Sequence, residues 1–262
     1  MSARNVGLLE IAGAALVVAL VVLAAAGVFS GGQPPRATAA TDSSGTAASP
    51  RELAARVAGG IVEVAAPPSD ALGTKGGSAT GGLGLGFVVS RSGLVLTSAR
   101  FVDRQGVIAK TVTVVVRPGT KSAARLMGVT VCVDAVHDLA VVRIDQSRAG
   151  GLVALPMGDS NSLRAGAQVV TFGRPSAAGP ALVGATVSAT DAEARALSGA
   201  RLTVATLAGQ VRDGVAAGAP LLDARGRVVA VLDLVAASNG SGPATAVPVN
   251  DAARVISDAL AD

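Results

Sequence analysis

The chain has 262 residues, half of them hydrophobic and 15% charged, which excludes a disordered polypeptide and leaves room for one sizeable domain or two small ones. Four Phe and no Trp or Tyr leave no stacking platform for sugars or single-stranded nucleic acid. The net charge is +4 with the basic residues scattered, so the charge reads as a solvated surface and no nucleic-acid partner is expected.

Residues 1–10 are expected to be a short cytoplasmic tail. Ile11 to Phe29 then runs without a charge. As a helix it would extend roughly 28 Å, close to the hydrocarbon thickness of a bilayer. Residues 11–30 are therefore read as a single-pass membrane anchor, with Arg4 on the cytoplasmic side and the bulk of the chain outside the cell membrane. A signal peptide cleaved at Ala37-Thr38-Ala39, giving a secreted protein, and a buried soluble helix are the alternatives. Residues 31–50 are rich in Gly, Pro, Ser, Thr and Ala and read as a flexible linker, and 51–262 as the folded domain.

Pro50-Arg51-Glu52-Leu53 opens a short helix with Leu53, Val57 and Ile61 on one face, and Ile61 to Val64 begins the first strand. The glycines of Ala71 to Gly86 fit neither phosphate-binding pattern and read as a hairpin loop. Gly82-Leu83-Gly84-Leu85-Gly86-Phe87-Val88-Val89-Ser90 is a strand, Arg91-Ser92-Gly93 a turn, and Leu94-Val95-Leu96-Thr97 the return. Thr111 to Arg117 and Arg125 to Val133 are further strands. Cys132, the single cysteine, cannot form an internal disulfide and reads as a buried structural thiol. His137, the single histidine, precedes Asp138 in what reads as an extended stretch, which would point the two side chains to opposite sides. It reads as a surface or loop residue, and no zinc-ligand spacing accompanies it.

Leu155 to Gly166 links to strands at Val169 to Phe172, Ala181 to Ala189 and Arg201 to Leu207. Asp213-Gly214-Val215-Ala216-Ala217-Gly218-Ala219-Pro220-Leu221 is a loop of small residues running into a hairpin that turns at Asp223 to Gly226. Thr245 to Asn250 closes the strand series. Asn250 is expected to cap a helix from Asp251 to Leu260 with Ala253, Ile256 and Leu260 on its buried face. Many short strands with regular turns predict an all-β sandwich or barrel.

The order of these pieces resembles trypsin-like serine proteases of the HtrA/DegP type. Gly84-Leu85-Gly86-Phe87, Leu96-Thr97, Asp138-Leu139-Ala140-Val141, Gly158-Asp159-Ser160, Gly173-Arg174-Pro175, Gly218-Ala219-Pro220-Leu221 and Pro248-Val249-Asn250 stand at family positions. The resemblance implies two six-stranded antiparallel β-barrels, about 53–155 and about 160–250, and a C-terminal helix, without the PDZ domain that family members often add. It also places the catalytic triad. The carboxylate position is Asp138. The base position is Arg100, whose guanidinium stays protonated and cannot accept a proton. The nucleophile position is Ala217, or Ala216 if the loop is aligned from Asp213-Gly214, and no Ser, Thr or Cys lies between Gly209 and Leu222. Val215-Ala216-Ala217 stands where the family's backbone N–H groups stabilise the oxyanion.

The expectation is a membrane-anchored pseudoprotease without cofactor or metal, holding a protein or peptide partner in the old substrate cleft. One alternative is an active peptidase with relocated residues, Ser198 or Ser238 paired with Lys75, Lys110 or Lys121. Another is a purely structural envelope protein. An ion pair between Arg100 and Asp138 is expected across the cleft, because a buried carboxylate that has lost its histidine needs a new partner.

Overall fold

The computed structural model describes residues 50–67, 82–104, 106–174, 176–196, 198–208, 215–233 and 243–261. The expected anchor and linker, and the glycine-rich loop up to residue 81, lie outside the described residues. Among those described, no helix is long and apolar enough to cross a membrane.

The first barrel closes in the order β1-β2-β3-β8-β7-β6. Its strands are β1 (Ile61–Ala65), β2 (Leu83–Ser90), β3 (Leu94–Ser98), β6 (Thr111–Val116), β7 (Ala124–Asp134) and β8 (Leu139–Ile144), all paired antiparallel. A two-stranded excursion, β4 (Asp103–Arg104) and β5 (Val107–Ile108), separates β3 from β6. The second barrel closes in the order β10-β11-β14-β13-β12-β9. It is built from β9 (Gln168–Phe172), β10 (Leu182–Arg195), β11 (Arg201–Leu207), β12 (Pro220–Leu222), β13 (Val228–Asp233) and β14 (Ala244–Pro248). β10 runs six residues past the expected end at Ala189, through register shifts against β11 that let so long a strand bend around the barrel. Helices α1 (Pro50–Val57), α2 (Gln146–Ala149) and α3 (Val249–Ala261) lie outside the barrels.

Burial explains why some strands alternate in sequence and others do not. β6 alternates, with Val112, Val114 and Val116 buried and the residues between them more open. β3 and β13 are buried at every position and run apolar up to their closing Thr97-Ser98 and Asp233. The reason lies in two apolar clusters. Val64, Val88, Val95, Val114 and Val142 fill barrel one. Leu85, Phe87, Leu96 and Leu139, the other faces of β2, β3 and β8, join the core of barrel two. Over residues 84–88, 94–98 and 139–142 both faces are covered, and the sequence carries no polar alternation there.

Leu53, Val57 and Ile61 are buried as expected. Three details differ. α3 buries Val249, Ala252, Val255 and Ala259, one position off the expected face, and leaves Leu260 58% exposed. The helix starts at Val249, so Asn250 lies inside it. The Asn250 side chain reaches sideways, accepting from the Ser160 N–H at 3.2 Å and donating to Asp159 at 2.8 Å. It ties the helix to the segment joining the barrels instead of capping it. Cys132 is only half-buried, because the bulge between Thr130 and Cys132 turns this part of β7 toward the surface.

Candidate functional site

Three segments converge at the seam between the barrels. The first is the turn after β3. Ala99–Phe101 makes one 3-10 turn, and the Ala99 N–H donates to the Asp138 carbonyl at 2.8 Å. This sets the Arg100 side chain beside the start of β8. Arg100 Nε donates to Ser98 Oγ at 3.3 Å.

The second segment carries Asp138. The stretch from His137 is a turn and not extended. Asp138 has φ +57°, a left-handed conformation that Asp tolerates better than most residues because its short side chain bonds locally. The kink aims the carboxyl inward while His137 turns away. The His137 ring nitrogen Nδ1 lies 2.7 Å from Asp134 Oδ2, and the His137 N–H donates to Asp134 Oδ1. Partial burial raises the Asp134 pKa, but these bonds outweigh it and hold the carboxyl below its ordinary range.

The third segment ends β13. Asp233 Oδ1 accepts from Arg100 Nη2 at 3.0 Å, and Asp138 Oδ2 lies 3.8 Å from the same nitrogen. The expected Arg100–Asp138 ion pair forms, but the closer partner is Asp233, which the sequence reading missed. Both carboxyls are buried, at 2% exposure for Asp138 and 0% for Asp233, whereas Arg100 remains 27% exposed. Burial raises the Asp138 pKa, against the bond to Asp233 and the charge of Arg100. Burial and the neighbouring charge of Asp138 push Asp233 well above the carboxylate range. The only sequence hint was an acidic residue ending a fully apolar strand, a pattern that a solvent-facing strand end would also give.

Against this cluster lies the small-residue loop. Val215 bridges to Gly173, and the Ala216 N–H donates to the Phe172 carbonyl at 3.2 Å. The Ala217 carbonyl accepts from the Leu85 N–H of barrel one at 2.9 Å, and the Gly218 N–H donates to the Leu232 carbonyl at 2.7 Å. Gly218 has φ +78°, and a Cβ there would sit 2.0 Å from the Leu85 carbonyl oxygen and 2.7 Å from Thr97 Oγ1. The loop is thus wedged between β2 and β13, one residue from Asp233. Val215, Ala216 and Ala217 are all buried. The seam therefore gathers Arg100 and Asp138, adds Asp233, and sets the loop that carries Ala217 against them through the bond from Gly218 to Leu232. Asp213 and Gly214 lie outside the described residues.

A chemical inventory of the seam is short. Thr97 donates its hydroxyl to the Leu85 carbonyl at 2.7 Å. Ser198, the alternative nucleophile, sits in the turn between β10 and β11 and donates to the Ala135 carbonyl. Lys110 and Lys121 are exposed. Ser238 and Lys75 lie outside the described residues. Among the described residues no group of three or more His, Cys, Asp or Glu could hold a metal ion.

Comparison with known proteins bears on this geometry. The family model of the trypsin-like peptidase domain matches residues 84–231. The chain belongs to the trypsin-like peptidase family. Within it the likeness is to HtrA-type members. The putative serine protease HhoA of Synechocystis sp. is 30% identical over 69% of this chain and 43% of its own length. A probable periplasmic serine endoprotease, DegP-like, of Brucella suis is 30% identical over 66% of this chain and 32% of its own. This trypsin-like chain thus spans less than half the length of these curated relatives. Among solved structures, Deg5 superposes with a TM-score of 0.57 at 23% identity, covering 77% of this chain and 89% of that one. The HtrA-type protease AlgW with tripeptide gives 0.60 at 21%, covering 78% and 61%. At these identities the likeness is one of fold, and it agrees with the two closed barrels.

Proposed function

We propose that this trypsin-like domain is catalytically silent and serves as a membrane-anchored, extracytoplasmic binding or scaffolding module. The observation that carries the reading is the state of Arg100. The residue at the family's base position is a guanidinium held by two buried carboxyls, so it is both unable to accept a proton and tied in place. Ala217 offers no nucleophilic atom at the matching position on the loop. Loss of two roles that act as one unit removes the covalent route, whatever the remaining carboxylate does. Relatives named as serine proteases give the ancestry.

Ser198 is committed to a backbone carbonyl in a turn between two strands of barrel two, so the relocated-nucleophile alternative draws no support from it. The anchor reading rests on the uncharged run Ile11 to Phe29. A protein or peptide partner at the seam suits a fold that exposes little aromatic surface and carries no cofactor-binding pattern. The test is a fluorophosphonate probe applied to the detergent-solubilised full chain, followed by identification of chains co-purifying with it from its own membranes. No labelling together with a stoichiometric protein partner is expected. Labelling of a serine would contradict catalytic silence.

A further inference from the structure

We propose that Asp138 and Asp233 share one proton at neutral pH, and that this proton, with Arg100, latches the two barrels together. The geometry poses the problem. Two buried carboxyls, one from each barrel, lie 3.8 and 3.0 Å from the same guanidinium nitrogen, close enough that each perturbs the other. Arg100 Nη2 serves Asp233 Oδ1 directly. Asp138 Oδ2 and Asp233 Oδ2 are buried and have no hydrogen-bond donor. Two ionised carboxylates are acceptors only, so a bond between them requires a proton on one of them. With both ionised, the cluster would also bury a net negative charge, a state that proteins commonly relieve by taking up a proton.

The charged surroundings favour the same outcome. Among the described residues Arg100 is the one cation acting on the pair, and Asp103 adds a further negative charge from β4. His137, next to Asp138 in sequence, is bonded to Asp134 and does not compete. From β14 the pair is faced only by the neutral Thr245, whose hydroxyl donates to the Asp233 carbonyl. The backbone then connects the pair to the loop. Asp138 receives the Ala99 N–H through its own carbonyl, and Leu232, beside Asp233, holds Gly218. Losing the proton therefore loosens the contact that keeps the small-residue loop wedged at the seam.

The sign follows from the direction of the shifts. Both carboxyls bind their proton more tightly in the folded state than in the unfolded chain. Their contribution to stability is complete below the ordinary carboxylate range and is lost as pH rises through the folded values. This is the reverse of the usual salt-bridged carboxylate, which loses stability on acidification.

The test uses the full chain in detergent, labelled with ¹³C at aspartate. Infrared spectra are recorded through a titration from acid to mildly alkaline pH, with melting temperatures measured in parallel. The expected result is one protonated aspartate carboxyl at neutral pH, lost on alkaline titration, with a melting temperature that falls from the ordinary carboxylate range upward and levels off where that proton is lost. In Asp233→Asn the carboxamide oxygen still accepts from Arg100 and its N–H donates to Asp138, so the protonated band disappears and the fall in melting temperature with rising pH flattens. Should that variant not fold, Asp138→Asn gives the same readouts. Absence of a protonated carboxyl at neutral pH, or a fall with rising pH unchanged in the carboxamide variant, would overturn the proposal. Neither result depends on whether the protein turns over substrate, which the probe decides separately.

Discussion

Arg100 of barrel one and Asp233 of barrel two meet at 3.0 Å across the seam where a trypsin-like protease would carry out its chemistry. The contact lies beside a third charged group, Asp138, and under a loop whose backbone is bonded to both barrels. On the proposed reading, the family's base position here carries a fixed charge. The consequence for stability can be measured directly. Arg100→Met leaves two buried carboxyls facing one another with no cation. Removing one partner of a buried ion pair costs about 3–5 kcal/mol, reduced here because Arg100 is partly exposed and the pair can take up a proton. A loss of about 2–3 kcal/mol in urea unfolding is expected. Arg100→Lys should recover only part of it, since an ammonium lacks the planar fork that reaches two acceptors.

Gly218→Ala should be among the most damaging single substitutions in the chain. The φ of +78° is unfavourable for an L side chain, and the new methyl would lie 2.0 Å from a backbone oxygen that cannot rotate away. Strain and displacement together should cost about 3 kcal/mol or more. A shift of the thermal midpoint checks it, with Gly166→Ala as the comparison. Gly166 has φ +85° but nothing within 4 Å of its Cβ direction, so the same substitution there carries the strain without the clash.

Much of this arrangement was legible in the sequence. Both barrels follow from ordered short motifs whose spacing matches the strands found, and the Arg100–Asp138 ion pair was expected from where those motifs stand. Asp233 was not legible, because its partners are more than ninety residues away in sequence and nothing local separates a buried acidic strand end from an exposed one. The face of α3 was misplaced by one residue for a related reason. Its sequence offers Ala and Ile or Val on two adjacent stripes, and packing against β7, β8 and β13 selects between them.

The helix register gives a prediction of its own. Leu260→Ala should change stability by less than about 0.5 kcal/mol, as an exposed position would. Val255→Ala, which removes buried methyl groups, should cost about 1–3 kcal/mol. Chemical denaturation of the two variants side by side checks the assignment. Equal losses would restore the face expected from sequence.

Asn250→Ala breaks the side-chain link to Ser160 and Asp159 that joins α3 to the inter-barrel segment. These bonds are solvent-exposed, so the cost should be modest, about 1 kcal/mol. The change should appear as faster amide exchange at Ser160, whose N–H loses its acceptor. Unchanged protection there would show that the asparagine contributes nothing to holding the segment.

Restoring the missing side chains should not restore a protease. With Arg100→His, Ala216→Asn and Ala217→Ser combined, the imidazole would face two buried carboxyls where a triad supplies one. The second carboxyl can pass the ring the proton that the pair shares, leaving the imidazole protonated and unable to act as base. Val215 also occupies the oxyanion segment, where the backbone must be aimed at the developing charge to within a fraction of an ångström. Adding Asp233→Asn removes the surplus carboxylate, so the quadruple variant should gain more fluorophosphonate labelling than the triple one. Equal labelling of the two would mean that the loop, and not the charge cluster, is the barrier.

The central claim is catalytic silence, and turnover of an unstructured casein by the unmodified, detergent-solubilised full chain tests it most directly. The prediction is no cleavage above the rate without protein, unchanged by a serine-directed inhibitor. Cleavage that copurifies with the chain and is abolished by that inhibitor would contradict it.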